Sequence, residues 1–375
     1  MSGTYIKMFM KKIMVVFGTR PEAIKMCPLV KEIVKRKDKF EIVVCVSGQH
    51  REMLNQVLNA FEVRPDYDLD IMKEKQTLYD ITESILRKIE NILSEEKPDV
   101  VLVHGDTTTT FVTALAAFYQ QIPVGHVEAG LRTNNIYSPY PEEFNRQAVG
   151  IIAKYHFAPT ETAKNNLLNE GKRCDSIYVT GNTAIDALKT TVCEQYKHEL
   201  LDWAEGSRLI VLTAHRRENL GKPLEHMFKA IRMIVDEYPD VKVVYPIHMN
   251  PLVRETASGI LGAQERIRLV EPLEVIDFHN LLSRSYMILT DSGGVQEEAP
   301  SLGKPVLVMR DTTERPEGIA AGTLKLVGTS EEVIYKEFKK LLTDKDEYYK
   351  MAHAVNPYGD GTASVQIADI LEETL

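Results

Sequence analysis

The stretch "DVVLVHGDTTTTFVTALAAFYQQIPVGHVEAG" (99–130) decides the fold class. It begins with an apolar run at 99–106, continues through a segment whose threonines can cap a helix, and ends with a second apolar run at 123–130. Two short strands joined by a helix form a βαβ unit, which favours a parallel sheet. Asp106 and Glu128 each follow one of these strands. We therefore expect both carboxylates at the carboxyl edge of the same sheet.

The same alternation of short apolar runs and amphipathic segments continues along the whole chain. The predicted strands form two sets, at 12–18, 41–48, 99–106, 123–130, 154–160 and 176–182, and at 208–215, 241–248, 267–272, 286–292, 305–311 and 324–329. Helical patterns lie between the strands, for example at 22–37 and 77–96. A polar stretch at 186–207 is predicted to be helical and to join the two sets.

Each set of strands has the length of one doubly wound domain. We predict an α/β fold of two Rossmann-like doubly wound domains facing a central cleft. The first domain is expected to span 1–180, joined by the C-terminal helix 358–375, and the second to span 181–357. Ligands of open α/β sheets bind beyond the carboxyl ends of the strands, so the polar residues that follow strands are the candidates for function.

Composition excludes several classes of partner. The formal charge of −9 argues against a nucleic-acid partner, which needs a basic face. No window supplies the roughly 20 apolar residues of a membrane span, and the N-terminal segment has no signal-peptide core. Cys27, Cys45, Cys174 and Cys193 show neither CxxC nor metal-site spacing and are expected to be reduced thiols. A cytoplasmic protein is therefore expected.

The motif "FGTRPEAIKM" (17–26) connects the first strand to the first helix. Gly18 permits a tight turn, Pro21 suits the first helical position, and a helix N-terminus favours an anion. Arg20 and Lys25 add cationic donors at the same place. A plain helix start with incidental surface cations explains the motif equally well. The GxGxxG fingerprint is absent, which disfavours a nicotinamide cofactor.

The carboxylates of the first half have a structural explanation as well as a functional one. Asp106 could simply be the N-cap of the next helix, and for an isolated motif this is the favoured interpretation. Glu128 occupies the equivalent place one strand later, which favours function for both. Glu142 and Glu143 follow after two prolines, within "YSPYPEE" (137–143). Clustered carboxylates have pKa values that are driven apart, which suits acid and base chemistry.

In the second half, "TAHRRENLG" (213–221) follows the first strand of its set. It contains His215, whose side chain titrates nearest neutral pH. A hydrogen-bonded histidine beside solvated arginines is the structural alternative. We favour a functional cluster, since a histidine, two arginines and a glutamate at a strand end contribute little to packing.

The strongest local signal is "LTDSGGVQEEAPSLGKPVLV" (289–308), in which a strand leads through Ser292, Gly293 and Gly294 into a helix. Such a turn at a helix N-terminus suits a diphosphate. Glu298, one helical turn later, is placed to accept hydrogen bonds from ribose hydroxyls. The next strand delivers Arg315 to the same edge. A glycine-rich turn with a solvated glutamate pair is the alternative.

Taken in order, these motifs resemble one family. They are "FGTRPEAIKM", "HGDTTTT", "GHVEAGLRT", "YSPYPEE", "GNTAIDAL", "HRREN", "DSGGVQEEAPSLGKPVLV", "DTTERPE" and "NPYGDG". Together they resemble the non-hydrolysing bacterial UDP-N-acetylglucosamine 2-epimerases from about Lys11 to Gly361. The resemblance implies the glycosyltransferase-B architecture, a homodimer, and interconversion of UDP-GlcNAc and UDP-ManNAc by elimination and re-addition of UDP, without a metal or a nicotinamide cofactor.

The resemblance also implies site residues. The catalytic group would be Asp106, Glu128, Glu142 and His215. The uridine diphosphate would be bound by Arg20, Lys25, Phe278, Ser292, Gly293, Gly294, Glu298 and Arg315. An activating second UDP-GlcNAc would be bound by Gln49, Glu52, Arg216 and His248. Lys75 stands where some relatives have arginine, and lysine lacks the bidentate fork of arginine.

Three other functions remain open on the sequence. A glycosyltransferase of the same architecture would share the "DSGGVQEE" side, but it has less use for three carboxylates around a sugar. A hydrolysing epimerase would release free N-acetylmannosamine, and a UDP-sugar sensor would perform no chemistry. The sequence assigns the carboxylates as a set and does not divide them into acid and base.

Overall fold

The computed structural model describes residues 10–48, 51–73 and 76–375, without the side chains of Arg51 and Glu52. The chain divides into two compact units. The first contains the residues up to Ala187 together with Gly361–Leu375, and the second is Leu188–Asp360. Each unit contains one sheet with helices between its strands, so the predicted α/β fold with two doubly wound sheets is confirmed.

The strands are β1 Lys11–Phe17, β2 Phe40–Val46, β3 Tyr67–Asp68, β4 Val100–His104, β5 Val124–Val127, β6 Tyr155–Ala158, β7 Ile177–Val179, β8 Arg208–Thr213, β9 Val241–Pro246, β10 Ile267–Val270, β11 Met287–Thr290, β12 Val306–Val308 and β13 Leu324–Leu326. The helices are α1 Arg20–Lys35, α2 Arg51–Ala60, α3 Leu78–Glu96, α4 Thr108–Tyr119, α5 Glu142–Ile152, α6 Glu161–Asn169, α7 Thr183–Thr191, α8 Glu199–Ala204, α9 Lys222–Glu237, α10 Pro251–Leu261, α11 Val275–Arg284, α12 Gly293–Ser301, α13 Pro316–Ala320, α14 Glu331–Thr343, α15 Lys345–Ala352 and α16 Ala363–Thr374.

The first unit has a parallel sheet in the order β3-β2-β1-β4-β5-β6-β7. The chain winds outward from β1 in one direction and then from β4 in the other, so the order reverses between these two strands. Such a reversal leaves a crevice at the carboxyl ends of the strands. The turns that follow β1, β4 and β5 lie at this edge.

The second unit repeats the arrangement with the order β10-β9-β8-β11-β12-β13, also parallel. Its strands are buried on both faces, because successive side chains alternate between two hydrophobic clusters. Ile210 and Leu212 belong to one cluster, whereas Leu209 and Val211 belong to the other. Here the order reverses between β8 and β11, so the turns that follow these strands are the candidates for binding.

All twelve strands predicted from apolar runs are present, with most ends shortened by one to four residues. The two-residue strand β3 was not predicted, because "YD" carries no apolar run. The predicted continuous helix at 186–207 is wrong, since α7 ends at Thr191 and α8 begins at Glu199. Between them Arg284 donates to the carbonyl oxygens of Cys193 and Glu194, which therefore need no helical partner.

Within the described part of the chain, no helix combines the length and the apolar character needed to cross a membrane.

Candidate active site

The turn after β1 packs closely against its neighbours. A Cβ on Gly18 would lie 1.9 Å from Oγ of Ser47, so only glycine fits this position. Thr19 is the N-cap of α1, and Glu22 completes a capping box with it. The Glu22 carboxylate also accepts hydrogen bonds from the hydroxyls of Thr107 and Thr110, which follow β4. This buried carboxylate therefore links the two turns on either side of the sheet reversal.

Glu128 follows β5 and lies among donors from three other elements. Its backbone has a φ of 64°, in the left-handed region that non-glycine residues rarely adopt. Its carboxylate pairs with Nζ of Lys25 from α1 and accepts a 2.9 Å hydrogen bond from Nδ2 of Asn182. Nε2 of His104 lies 3.7 Å away, and burial lowers the pKa of this histidine to about 4, so the imidazole is neutral at pH 7. Lys25 therefore supplies the positive charge at Glu128.

Asp106 is not a helix cap, so the structural interpretation weighed for it from the sequence is wrong. The N-cap of α4 is Thr107, whose hydroxyl accepts the N–H of Thr110. The Asp106 carboxylate instead pairs with Nη2 of Arg146 at 2.5 Å. Burial raises the pKa of Asp106 above its usual range, and the charges of Glu128 and Glu142 add to this effect, while Arg146 opposes it.

The adjacent Glu142 and Glu143 have different surroundings. Glu143 is 0% exposed and accepts hydrogen bonds from the N–H groups of Thr133 and Asn134 and from Gln147. Burial opposes its ionisation, but these hydrogen bonds outweigh burial and lower its pKa. Glu143 therefore holds the loop after β5 in place. Glu142 is the first residue of α5 and is half-buried, with its charge acting on Asp106.

In the second unit, Asp291 follows β11 and organises the turn after β8. One carboxylate oxygen accepts the N–H groups of His215 and Arg216, each at 2.9 Å, and Nδ2 of Asn219 at 3.1 Å. The other oxygen lies 3.4 Å from Nδ1 of His215. The His215 ring stacks on His248 with centroids 5.3 Å apart. Burial lowers the pKa of His215 although Asp291 opposes this, which favours a neutral, oriented imidazole at pH 7.

The glycine turn opens α12 as the sequence predicts. Ser292 is the N-cap of this helix, but its side chain makes no capping hydrogen bond. A Cβ on Gly293 would lie 3.5 Å from Nη2 of Arg216 and 3.9 Å from Nη2 of Arg315. Two guanidinium groups therefore lie, together with the Glu314 carboxylate, beside a helix N-terminus that has no side-chain cap, and the cations and the helix N–H groups favour a bound anion. Arg315 is fixed by a 2.5 Å contact of its Nε with the buried carboxylate of Glu297.

The alternative of a solvated glutamate pair in α12 is wrong, because Glu297 and Glu298 are both buried. The Glu298 carboxylate lies 3.5 Å from Nε2 of His279, whose Nδ1 is hydrogen-bonded to the hydroxyl of Thr191 at 2.7 Å. Phe278, the neighbour of His279 on α11, is partly buried against the core. A buried carboxylate backed by a histidine suits recognition of ribose hydroxyls.

Comparisons with known proteins identify the family. A family model described as UDP-N-acetylglucosamine 2-epimerase matches residues 32–372. The chain belongs to the UDP-N-acetylglucosamine 2-epimerase family. The UDP-N-acetylglucosamine 2-epimerase of Bacillus subtilis (strain 168) is 64% identical over 360 residues, which cover 96% of this chain and 94% of that protein.

Solved structures of similar proteins have the same fold. S. aureus MnaA, solved with UDP, is 54% identical with a TM-score of 0.90, covering 97% of this chain and 96% of its own. The UDP-GlcNAc 2-epimerase from Neisseria meningitidis, solved bound to UDP-GlcNAc, is 49% identical with a TM-score of 0.89, covering 97% of this chain and 100% of its own.

The residues expected of an epimerase-family site fall into three groups. Arg20, Lys25, Asp106, Glu128 and Glu142 lie along the carboxyl edge of the first sheet, while His215, Arg216, His248, Phe278, Ser292, Gly293, Gly294, Glu298 and Arg315 lie in the second unit. Gln49, Lys75 and the side chain of Glu52 lie outside the described residues. The proposed activator site therefore has only Arg216 and His248 described.

Sequence reasoning missed several partners of these residues. Arg146, Asn182 and Asp291 each contact a predicted site residue directly. Arg146 had a detectable signal, because it follows Glu142 by one helical turn and so points from the same face of α5. Asn182 lies in "GNTAIDAL", a motif quoted only for the resemblance. Its contact with Glu128 joins positions 54 residues apart, which no local pattern predicts.

Proposed function

We propose that the chain interconverts UDP-GlcNAc and UDP-ManNAc by inverting the configuration at C2, without releasing free sugar. Membership of the epimerase family supports the reaction class. Related proteins bind UDP-GlcNAc and UDP, as their structures record. The observation that carries the proposal is the carboxylate cluster of Asp106, Glu128 and Glu142, in which burial raises the pKa of Asp106 and the charges of the two glutamates add to this effect.

The chemistry requires such a cluster. The C2 proton lies beside an N-acetyl group rather than a carbonyl, so direct removal without a cofactor faces a high barrier. In the proposed route a base takes this proton as the C1–O bond to UDP breaks, and the electron pair forms the C1–C2 double bond of 2-acetamidoglucal. An acid then protonates C2 from the other face while a diphosphate oxygen of UDP attacks C1. Both steps need carboxyl groups in different protonation states.

Proton transfer and nucleotide binding are assigned to different residues. The carboxylates supply proton transfer, and their environments suit this task, because Asp106 has a raised pKa while Glu128 pairs with Lys25. We also propose a catalytic role for His215, whose backbone N–H donates to Asp291. We assign UDP to the glycine turn at Gly293 and the ribose to Glu298.

Incubation of the purified protein with UDP-GlcNAc alone in deuterated water tests the proposal. We expect a steady mixture with UDP-ManNAc that carries deuterium at C2, because the proton exchanges with solvent in the intermediate. The matched control is Glu142→Gln, which should abolish deuterium incorporation and still bind UDP. Release of free N-acetylmannosamine would establish a hydrolysing enzyme instead. An unchanged substrate would leave glycosyl transfer or sensing.

We also propose activation by a second UDP-GlcNAc, through Arg216 and His248 together with Gln49 and Glu52. A ligand shifts a conformational equilibrium only through different affinities for the two states. The rate should therefore depend sigmoidally on UDP-GlcNAc, and pure UDP-ManNAc should react slowly until some UDP-GlcNAc is added. Hyperbolic kinetics with an equally fast unprimed reverse reaction would remove the activator and leave the catalytic proposal intact.

We further propose a homodimer formed through α3, α4 and α5. These helices and the residues just before α5 line a groove of about 960 Å³, with exposed aromatic side chains at Tyr79, Tyr119, Tyr140 and Phe144. Contiguous exposed apolar surface of this kind is typical of protein interfaces. Light scattering after gel filtration should give twice the chain mass, and Tyr119→Glu should reduce it. A monomer at micromolar concentration would contradict the dimer.

A further inference from the structure

The loop between β12 and α13 places one carboxylate among arginines. Oε1 of Glu314 lies 3.2 Å from Nη2 of Arg216, and its Oε2 lies 2.7 Å from Nη1 of Arg310. The Glu314 side chain is 27% exposed, so water screens these ion pairs only partly. Burial disfavours ionisation of Glu314, but the charges of Arg310, Arg315 and Arg216 outweigh burial and lower its pKa to about 2. Glu314 is therefore an anion at every physiological pH.

The same carboxylate lies beside the turn that we assign to the diphosphate. A Cβ on Gly293 would be 3.4 Å from Oε1 of Glu314. Gly293 is the first residue of α12, and its N-cap Ser292 offers no side-chain hydrogen bond to the first turn. Helix N-termini attract negative charge. Glu314 thus carries negative charge at the place, and against the arginines, that a diphosphate bound at this turn would occupy.

We propose that Glu314 is an internal counter-ion of the diphosphate subsite. Glu314 competes with the diphosphate of a nucleotide at the glycine turn for Arg310 and for Arg216, a residue that this subsite shares with the proposed activator site. The inference rests on the proposed function, in that it assumes UDP at the glycine turn. A ligand must then replace the ion pairs that Glu314 loses. A diphosphate can replace them, because it brings several anionic oxygens to the same guanidinium groups. A uridine without phosphate cannot. Glu314 therefore sets both the affinity for nucleotides and the preference for those with a diphosphate.

The opposite role is physically possible and gives the opposite result. Glu314 could hold Arg216 and Arg310 in the orientation that phosphate needs, since residues hydrogen-bonded to a binding side chain often fix its orientation. Loss of its charge would then weaken nucleotide binding. We favour competition because Oε1 of Glu314 lies at the Gly293 turn itself. A group that only positions the arginines would instead place its carboxylate on the side of the arginines away from the turn. The sign of the change in affinity decides between the two roles.

The experiment is calorimetry on Glu314→Gln with UDP, inorganic pyrophosphate and uridine as separate probes. Glutamine keeps the size of the side chain and removes its charge. We expect the Kd for UDP and for pyrophosphate to fall about tenfold, the effect of one charge-assisted hydrogen bond, with no change for uridine. The matched control is Glu218→Gln. Glu218 pairs with the same Arg310 at 3.3 Å but is half-exposed, so its loss should change the Kd for UDP less than threefold.

A second variant tests the partner. In an Arg216→Met background, Glu314→Gln should give a gain in UDP affinity smaller than threefold, because one of the two contested cations is gone. Thermal unfolding of each variant checks that the fold is kept. Weaker UDP binding by Glu314→Gln, or equal gains from Glu314→Gln and Glu218→Gln, would overturn the inference alone. Failure of the unmodified protein to bind UDP would overturn the proposed function together with it.

Discussion

Replacement of Arg146 by methionine should change the pH dependence of the reaction more than the stability of the fold. Arg146 lies 2.5 Å from the Asp106 carboxylate and is the cation that opposes the raised pKa of that group. Two unit charges about 4 Å apart interact by about 4 kcal/mol at an effective dielectric constant of about 20. Because Asp106 is 24% exposed, water reduces this value. We expect the pKa of Asp106 to rise by about 1–3 units.

The assay is the pH profile of kcat/KM for conversion of UDP-GlcNAc, followed by the appearance of UDP-ManNAc. The limb that reports Asp106 should move to higher pH by the same interval, on the acidic side if Asp106 is the base and on the alkaline side if it is the acid. The direction of the shift does not depend on that assignment, but the limb that moves reveals it. Arg146→Lys keeps the charge and serves as the matched control, with a shift of less than about one unit.

Arg146 also donates to the buried Glu143 at 3.2 Å, so a loss of structure has to be separated from a change in titration. In the variant, Gln147 and the N–H of Thr133 still donate to Glu143. We therefore expect the variant to unfold cooperatively, as the parent does. A variant that keeps both limbs at the pH of the parent, and loses only rate, would refute the electrostatic role. Arg146 would then position the loop and no more.

Three further predictions rest on buried groups. Glu298→Ala should weaken UDP binding by about 1.5–3 kcal/mol in calorimetry without changing the fold, because the ribose loses a charged acceptor; unchanged affinity would show that the ribose lies elsewhere. Glu143→Gln should lower the free energy of unfolding by about 2–4 kcal/mol, measured by denaturant titration, because a fully buried carboxylate that accepts from charged and backbone donors is replaced. A loss below about 1 kcal/mol would contradict the role of Glu143 in holding the loop. Burial lowers the pKa of His104 and His156 to about 4 and of His126 to about 3, below the unfolded value near 6.5. The unfolded chain therefore binds more protons between these values, so this contribution to stability is complete above pH 6.5 and is lost as the pH falls towards 4. His156→Gln should flatten the decline of stability measured by denaturant between pH 6.5 and 4.5, and an unaltered slope would show that His156 does not contribute to it.

The sequence predicts the sheets well because strands of parallel sheets are buried on both faces, so they form continuous apolar runs such as "VVLVH". It also predicts which turns lie at the carboxyl edge, since that edge follows from the order of the strands. The sequence does not predict which side chains form ion pairs with residues far away along the chain. Asp106 is an equally good helix cap by composition, and only the position of Arg146, forty residues later, shows that its carboxylate serves otherwise. The functions of Glu142 and Glu143 likewise depend on which face of α5 each occupies.

The donors around the buried carboxylates of the first unit distinguish structural groups from those that we propose to be reactive. Glu22 and Glu143 accept hydrogen bonds from backbone N–H groups, which cannot leave when a ligand binds. Asp106 and Glu128 face the side chains of Arg146 and Lys25, which are long and can exchange a carboxylate for a phosphate or a sugar hydroxyl.

Glu128 adds a second distinction. A left-handed backbone at a non-glycine residue costs about 1–3 kcal/mol, and glycine or asparagine would relieve it. Neither could supply a carboxylate next to Lys25, Asn182 and Asp106. The chain therefore tolerates strain at a residue where charge is needed, whereas Glu143 lies in a regular helix. Replacement of Glu128 by asparagine should accordingly abolish turnover, and relief of the backbone strain should offset part of the stability lost with the Lys25 ion pair, so the melting temperature should fall less than in Glu128→Ala. An asparagine variant that melts no higher than the alanine variant would show that strain at this position contributes nothing to stability.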